Sequence, residues 1–169
     1  MNLKSLCFSL VVGALATSSL HALTLTKDEM IALTAKWKGE RYPDGRPKVP
    51  AALLERMKNV SIEEAWEVLK GDGYANQFEG GWQMIRSDKP IVGRALTAVY
   101  LPNRPDLNEH IYALGKEQGR IGGSNSWPID MLQKGDVYVA DGLGKIADGT
   151  LIGDNLGNAI YAKSGNGVV

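Results

Sequence analysis

Apolar residues recur at helical spacing through the first part of the chain and at strand spacing through its middle. Thr26 and Glu29 have the spacing of a capping box, with Leu25 and Met30 at the matching hydrophobic-staple positions. This predicts a helix from Lys27 to about Lys38, after which Gly39, Pro43 and Gly45 break the chain. Pro50 suits the first position of a second helix, because its missing N–H would have no intrahelical partner there. Leu53, Leu54 and Met57 give that helix an apolar patch. Ser61 and Glu64 repeat the capping box, with Val60 and Ala65 as staple candidates. Ile62, Ala65, Trp66 and Leu69 continue as an apolar stripe up to Gly71, while Glu63 and Glu64 complement the dipole of the first turn. Trp66 reads as a core residue, and Arg56, Lys58 and Lys70 as parts of solvated faces.

Beyond Gly71 the pattern changes to short strands, turns and glycines. Gly80, Gly81 and Trp82 introduce a short segment ending at Ile85, and IVGRALTAVY from Ile91 to Tyr100 is the clearest strand. Alternation puts Val92, Arg94, Leu96, Ala98 and Tyr100 on one face. Ile91, Gly93, Ala95, Thr97 and Val99 lie on the other, a small and nearly apolar face suited to close packing against another layer. Pro102 and Pro105 hold a turn around Asn103 and Arg104, and Asp106 or Asn108 is expected to cap a helix over about Asn108 to Lys116. Gly135 and Asp136 signal a turn before a strand over Val137 to Ala140, which Asp141 and Gly142 end. A last helix is expected from about Gly153–Asn155 to Lys163, with Leu156, Ala159 and Ile160 toward the core and Gly165 as its C-terminal cap. Val168 and Val169 read as the start of a buried strand.

Composition then narrows the class. The 169 residues are 44% hydrophobic and 22% charged, which favours a packed core over disorder. A formal net charge of +0 gives no basic excess for general nucleic-acid binding, although a small charged pocket remains compatible with it. Lys4 followed by the apolar run Leu6 to Ala16 and then Ala22 reads as a signal peptide over residues 1–22, the run being too short for a comfortable membrane span. Export to the periplasm or outside, with no stable membrane span after cleavage, is the expectation. The remaining chain divides into a helical segment over 23–72 and an α/β part over 73–169. Cys7 is the only cysteine, so a mature chain would hold no disulfide and no thiolate chemistry. His21 lies beside the expected cleavage site, and His110 has no neighbouring His or Cys to complete a metal site, which favours a surface or packing role.

Candidate chemistry is sparse. GLGKIADG, from Gly142 to Gly149, is neither a phosphate-loop nor a dinucleotide fingerprint, and Lys145 lacks the phosphate-loop setting. Asp141, at a strand end, fits either a functional carboxylate or a turn residue bonded to local backbone. Gly153, Asp154, Asn155 and Leu156 open a helix whose first amides either form a plain helix start or face a small carboxylate.

The segments GRPKVPAALLERMKNVSIEEAWEVL, NQFEGGW, GRALTAVYLPNRPDL, KGDVYVADGLGK and GTLIGDNLGNAIYAKSGNGVV, in that order, resemble RraA-like proteins. The resemblance runs from about Asp44 onward and is strongest from Gly93 to Val169. It implies a layered α/β/β/α domain with N-terminal helices, assembled as a homo-oligomer, trimer or hexamer. It also implies a lyase that cleaves 4-hydroxy-2-oxo dicarboxylic acids by retro-aldol chemistry, with oxaloacetate decarboxylation as a side activity and Mg²⁺ or Mn²⁺ as cofactor. The other branch of the family implies a non-catalytic regulator that binds a ribonuclease. On the aldolase pattern, the amides of Gly153, Asp154, Asn155 and Leu156 would hold the carboxylate of a small 2-oxo carboxylic acid. The pattern's Arg–Asp pair, which clamps substrate and supports the metal, would follow beyond Val169. The resemblance therefore leads us to expect a C-terminally incomplete domain with impaired catalysis, in which Arg94, Arg104, Asp106 and Asp141 are weaker candidates for pocket or subunit contacts.

Overall fold

A computed structural model describes residues 25–77, 79–144, 147 and 151–169. The expected signal peptide at 1–22, with Cys7 and His21, lies outside the described residues, as does Lys145. The elements are α1 (Lys27–Leu33), α2 (Ala51–Met57), α3 (Ile62–Gly71), β1 (Arg94–Val99), α4 (Pro105–Glu117), α5 (Trp127–Asp130), β2 (Asp136–Asp141) and α6 (Asp154–Ser164). The fold is mixed α/β.

Both capping boxes form. Thr26 Oγ1 accepts from the Glu29 amide at 3.3 Å while Glu29 reaches back to the Thr26 amide at 2.8 Å. Ser61 and Glu64 do the same at 3.2 and 2.8 Å. Helix α1 stops at Leu33, well short of Lys38, because Arg41 gathers the carbonyls that follow: it donates to Thr34 O and Oγ1, Trp37 O and Gly45 O. Pro50 caps α2 instead of opening it, and Arg104, not Asp106 or Asn108, caps α4, whose first residue is Pro105. No residue of α1, α2 or α3 is fully buried. The stripe on α3 exists but stays open, with Ile62 and Leu69 exposed and Trp66 only half-buried beneath the Lys70 ammonium. The expected core role of Trp66 is thus reduced to partial cover.

The core sits in the second half. Strands β1 and β2 pair in parallel from Arg94↔Asp136 to Val99↔Asp141. Leu96 and Tyr138 are partners in this register and share one face, as do Ala98 and Ala140. They pack with Ile129 and Leu132 from the α5 region and with Ile152, Leu156, Ala159 and Ile160 around α6. The opposite face of β1 was expected to meet another layer. Among the described residues it is open: Ala95, Thr97 and Val99 are exposed, as is Ile91.

Helix α6 returns the chain to the start of β2. Its last residue, Ser164, accepts from the Gly135 amide at 2.8 Å, and Gly165 follows in the left-handed conformation expected of its cap. Val168 then bridges Tyr138 in parallel, the Val169 amide donates to Tyr138 O, and Val169 O accepts from the Ala140 amide. Strand β2 is consequently paired on both edges, and Val168 and Val169 lie as extended backbone against it, but their side chains are exposed instead of buried as the sequence suggests.

Candidate functional site

The carboxyl ends of parallel strands are where an α/β sheet commonly presents ligands. Here that end carries the turn after β2 and the start of α6. Gly142 lies against Leu151, which brings the turn and the residues preceding α6 together. Leu143 is held in the left-handed region at φ 57°, a strained conformation for leucine, with its amide bonded to Asp141 Oδ1 at 2.7 Å. Asp141 is therefore a turn carboxylate tied to local backbone.

Gly153 is the N-cap of α6, extended and without a side-chain cap, and Asp154, Asn155 and Leu156 form the first turn. Gly153, Asp154 and Asn155 are exposed; Leu156 turns its side chain onto the core, leaving only its backbone for a ligand. The Asn155 amide is bonded by the Asp154 carboxylate at 2.8 Å. That acid fits the positive end of the helix dipole, and its charge opposes an incoming anion. The predicted residues are thus brought together as one helix start.

The weaker candidates go elsewhere. Arg104 and Asp106 form an exposed pair at 2.6 Å at the start of α4. The Arg104 hydrogen bond holds the Asp106 carboxyl below its usual range. Arg94 belongs to a buried cluster that the sequence did not reveal. Asp136, fully buried, accepts from Arg94 Nε at 2.9 Å, Arg46 Nη1 at 3.1 Å and the Gln133 amide at 2.8 Å. Arg46 also pairs with Asp44 at 2.8 Å, and the Tyr42 ring lies 5.4 Å from both guanidinium carbons. Burial works to lower the Arg46 pKa, but the hydrogen bonds and charges of Asp44 and Asp136 outweigh it and raise it. Arg94 further donates to Val49 O and Lys134 O. All these groups are mutually satisfied, so the cluster fastens the 41–49 segment to the sheet and offers no open charge. One weak sequence signal was available: Asp136 lies two residues before Tyr138 and shares its strand face.

A second polar contact lies inside the core. Tyr100 Oη donates to Asn125 O at 3.1 Å and lies 2.6 Å from Tyr138 Oη, which leaves Tyr138 as donor to Tyr100. Burial, and then this hydrogen bond, push the Tyr138 phenol well above its ordinary range.

Among the described residues, no three or more His, Cys, Asp or Glu side chains are grouped to hold a metal ion. The donor set for the divalent cation implied by the resemblance is therefore not assembled by them. His110 is exposed on α4. No helix among the described residues is long and apolar enough to cross a membrane. No protein-family model matches the chain, and neither does any curated protein or solved structure.

Proposed function

We propose that the chain is an RraA-like protein of the aldolase type whose α6 start receives the carboxylate of a small 2-oxo acid. The observation that carries this reading is the start of α6. Its Gly153 N-cap makes no side-chain cap bond, Asp154 occupies only the Asn155 amide, and it lies beside the strained Asp141–Leu143 turn at the carboxyl end of β2. The first-turn amides other than that of Asn155, together with the helix dipole, favour a small anion there. Retro-aldol cleavage must stabilise an enolate, which a cation or opposed arginine supplies in such enzymes. Export, Mg²⁺ or Mn²⁺ use by the lineage, and assembly as a trimer or hexamer belong to the same proposal; the open Ala95–Thr97–Val99 face of β1 supports the assembly.

The test combines titration calorimetry of pyruvate and oxalate with an assay of pyruvate release from 4-hydroxy-4-methyl-2-oxoglutarate in Mg²⁺ or Mn²⁺. Metal-dependent pyruvate release, and binding that strengthens in Asp154→Asn, are expected, because the substitution removes a negative charge from the anion site. No metal-dependent turnover would overturn the aldolase type. Absence of binding, or indifference to Asp154→Asn, would overturn the site. Sedimentation velocity checks the assembly, which a lone monomer at high concentration would refute.

The family's other branch, a protein-binding regulator, is the alternative. The observation favouring it is the amount of apolar surface open on α3 and β1, where Ile62, Val68 and Val99 are each more than half exposed. Specific capture of a partner protein that survives Asp154→Asn, with no affinity for 2-oxo acids, would favour that reading.

A further inference from the structure

A separate cavity of about 160 Å³ lies between α4 and α5, lined by Ile111, Gly115, Arg120, Ser124, Trp127 and Met131 among others. Its floor is the Trp127 ring. Gly115 permits this, since a Cβ at that position would come within 2.1 Å of the ring. The ring is fixed from three sides: its Nε1 donates to Ile121 O at 3.1 Å, Tyr112 packs edge-on at 5.4 Å, and the Arg120 guanidinium lies 5.9 Å from its centroid.

Arg56 is exposed on α2, and among the half-buried arginines of the described residues Arg120 is the unusual member. Arg46, Arg86, Arg94 and Arg104 each pair with an aspartate, and Arg41 is saturated by four neutral acceptors. Arg120 is half-buried and bonds only neutral groups among the described residues: Gln118 Oε1 at 3.2 Å through Nε, and Trp127 O at 3.4 Å through Nη1. A guanidinium has five N–H donors, so several remain for a ligand, and a planar carboxylate matches their geometry. Gln118 and Ser124 are polar parts of the rim, and Ile111, Trp127, Pro128 and Met131 make the remaining wall apolar. Size narrows the choice further. Sites for drug-sized ligands span roughly 300–1,000 Å³, so this cavity excludes nucleotides and sugars and admits a body of a few heavy atoms.

We propose that this cavity binds a small monocarboxylate with a short branched aliphatic tail, the tail against Trp127, Ile111 and Met131 and the carboxylate on Arg120. The site shares no residue with the α6 start, and the two are separable by variant.

The experiment is calorimetric titration of the chain with 3-methylbutanoate and, as an uncharged counterpart, 3-methylbutanamide. The carboxylate is expected to bind about tenfold more tightly than the amide, the gain from a charge-assisted pair. Arg120→Gln should reduce the carboxylate to the level of the amide, while Arg120→Lys retains part of the difference. Asp154→Asn should change neither affinity. Equal affinities of the two probes for the unaltered chain would overturn the proposal without reliance on any variant. So would no detectable binding of the acid, or binding of it unchanged by Arg120→Gln.

Discussion

The Tyr138 hydroxyl is wholly removed from solvent and donates to Tyr100, so ionising it would place a charge among Leu96, Ile129 and Ile160. In the unfolded chain the phenol titrates near its ordinary 10.0. The folded state holds that proton to higher pH. The contribution is intact below pH 10 and is lost as pH rises above it, because only the unfolded chain releases the proton there. Stability should fall by up to about 1.4 kcal/mol per pH unit in that range. Urea midpoints from pH 8 to 11 should show a steeper decline for the unaltered chain than for Tyr138→Phe. The variant should start about 1 kcal/mol lower at pH 8 for its lost hydrogen bond. Asp136 is the other residue on which much depends. Asp136→Asn leaves the Arg46 and Arg94 charges, with side chains 12% and 10% exposed, without their shared anion. A loss of about 3 kcal/mol is expected in equilibrium unfolding.

Helix α4 sets two element-scale rules against each other at Gly115. Alanine in a helix interior is ordinarily better than glycine by about 1 kcal/mol. Here its methyl would collide with Trp127, and overpacking costs about 1–3 kcal/mol. Gly115→Ala should therefore destabilise the chain, by about 1–2 kcal/mol in thermal or urea unfolding, and shift the Trp127 environment in near-UV circular dichroism. Nothing in the sequence warned of this contact, because it joins α4 to a residue across a glycine-rich turn. Elements whose signals are local were legible: both capping boxes, the Leu96–Tyr138 strands and the α6 start with its Gly165 cap. Helix α1 was overestimated because the Arg41 side chain, seven residues past Thr34, competes for the carbonyls at its end. The opening of α6 could be named as a candidate from the glycine and the amides alone. The Arg46–Asp136–Arg94 cluster could not, because its members are brought together only by the tertiary fold.

At the scale of the molecule, fully buried apolar side chains among the described residues are confined to the second half, and the first three helices contribute none. What joins the halves is largely polar: Arg46 on Asp136, Arg94 on Val49 O, and the Tyr42 ring beside both guanidiniums. A formal net charge of +0 leaves little overall repulsion to keep copies apart, so the open apolar faces bear on solubility as well as assembly.

The Arg46–Asp136 bond spans 90 positions along the chain. Bringing its ends together costs loop entropy that nothing recovers until the sheet exists, which places this contact late in folding. Refolding should then proceed from the β1–α6 region outward. Arg46→Gln, which removes the late contact and leaves Arg94 on Asp136, should hasten unfolding while leaving the refolding rate nearly unchanged, as stopped-flow chevrons would register. A protein built in this order can release its amino-terminal third while its sheet is still intact, and a protease would meet residues 41–49 before it met the strands.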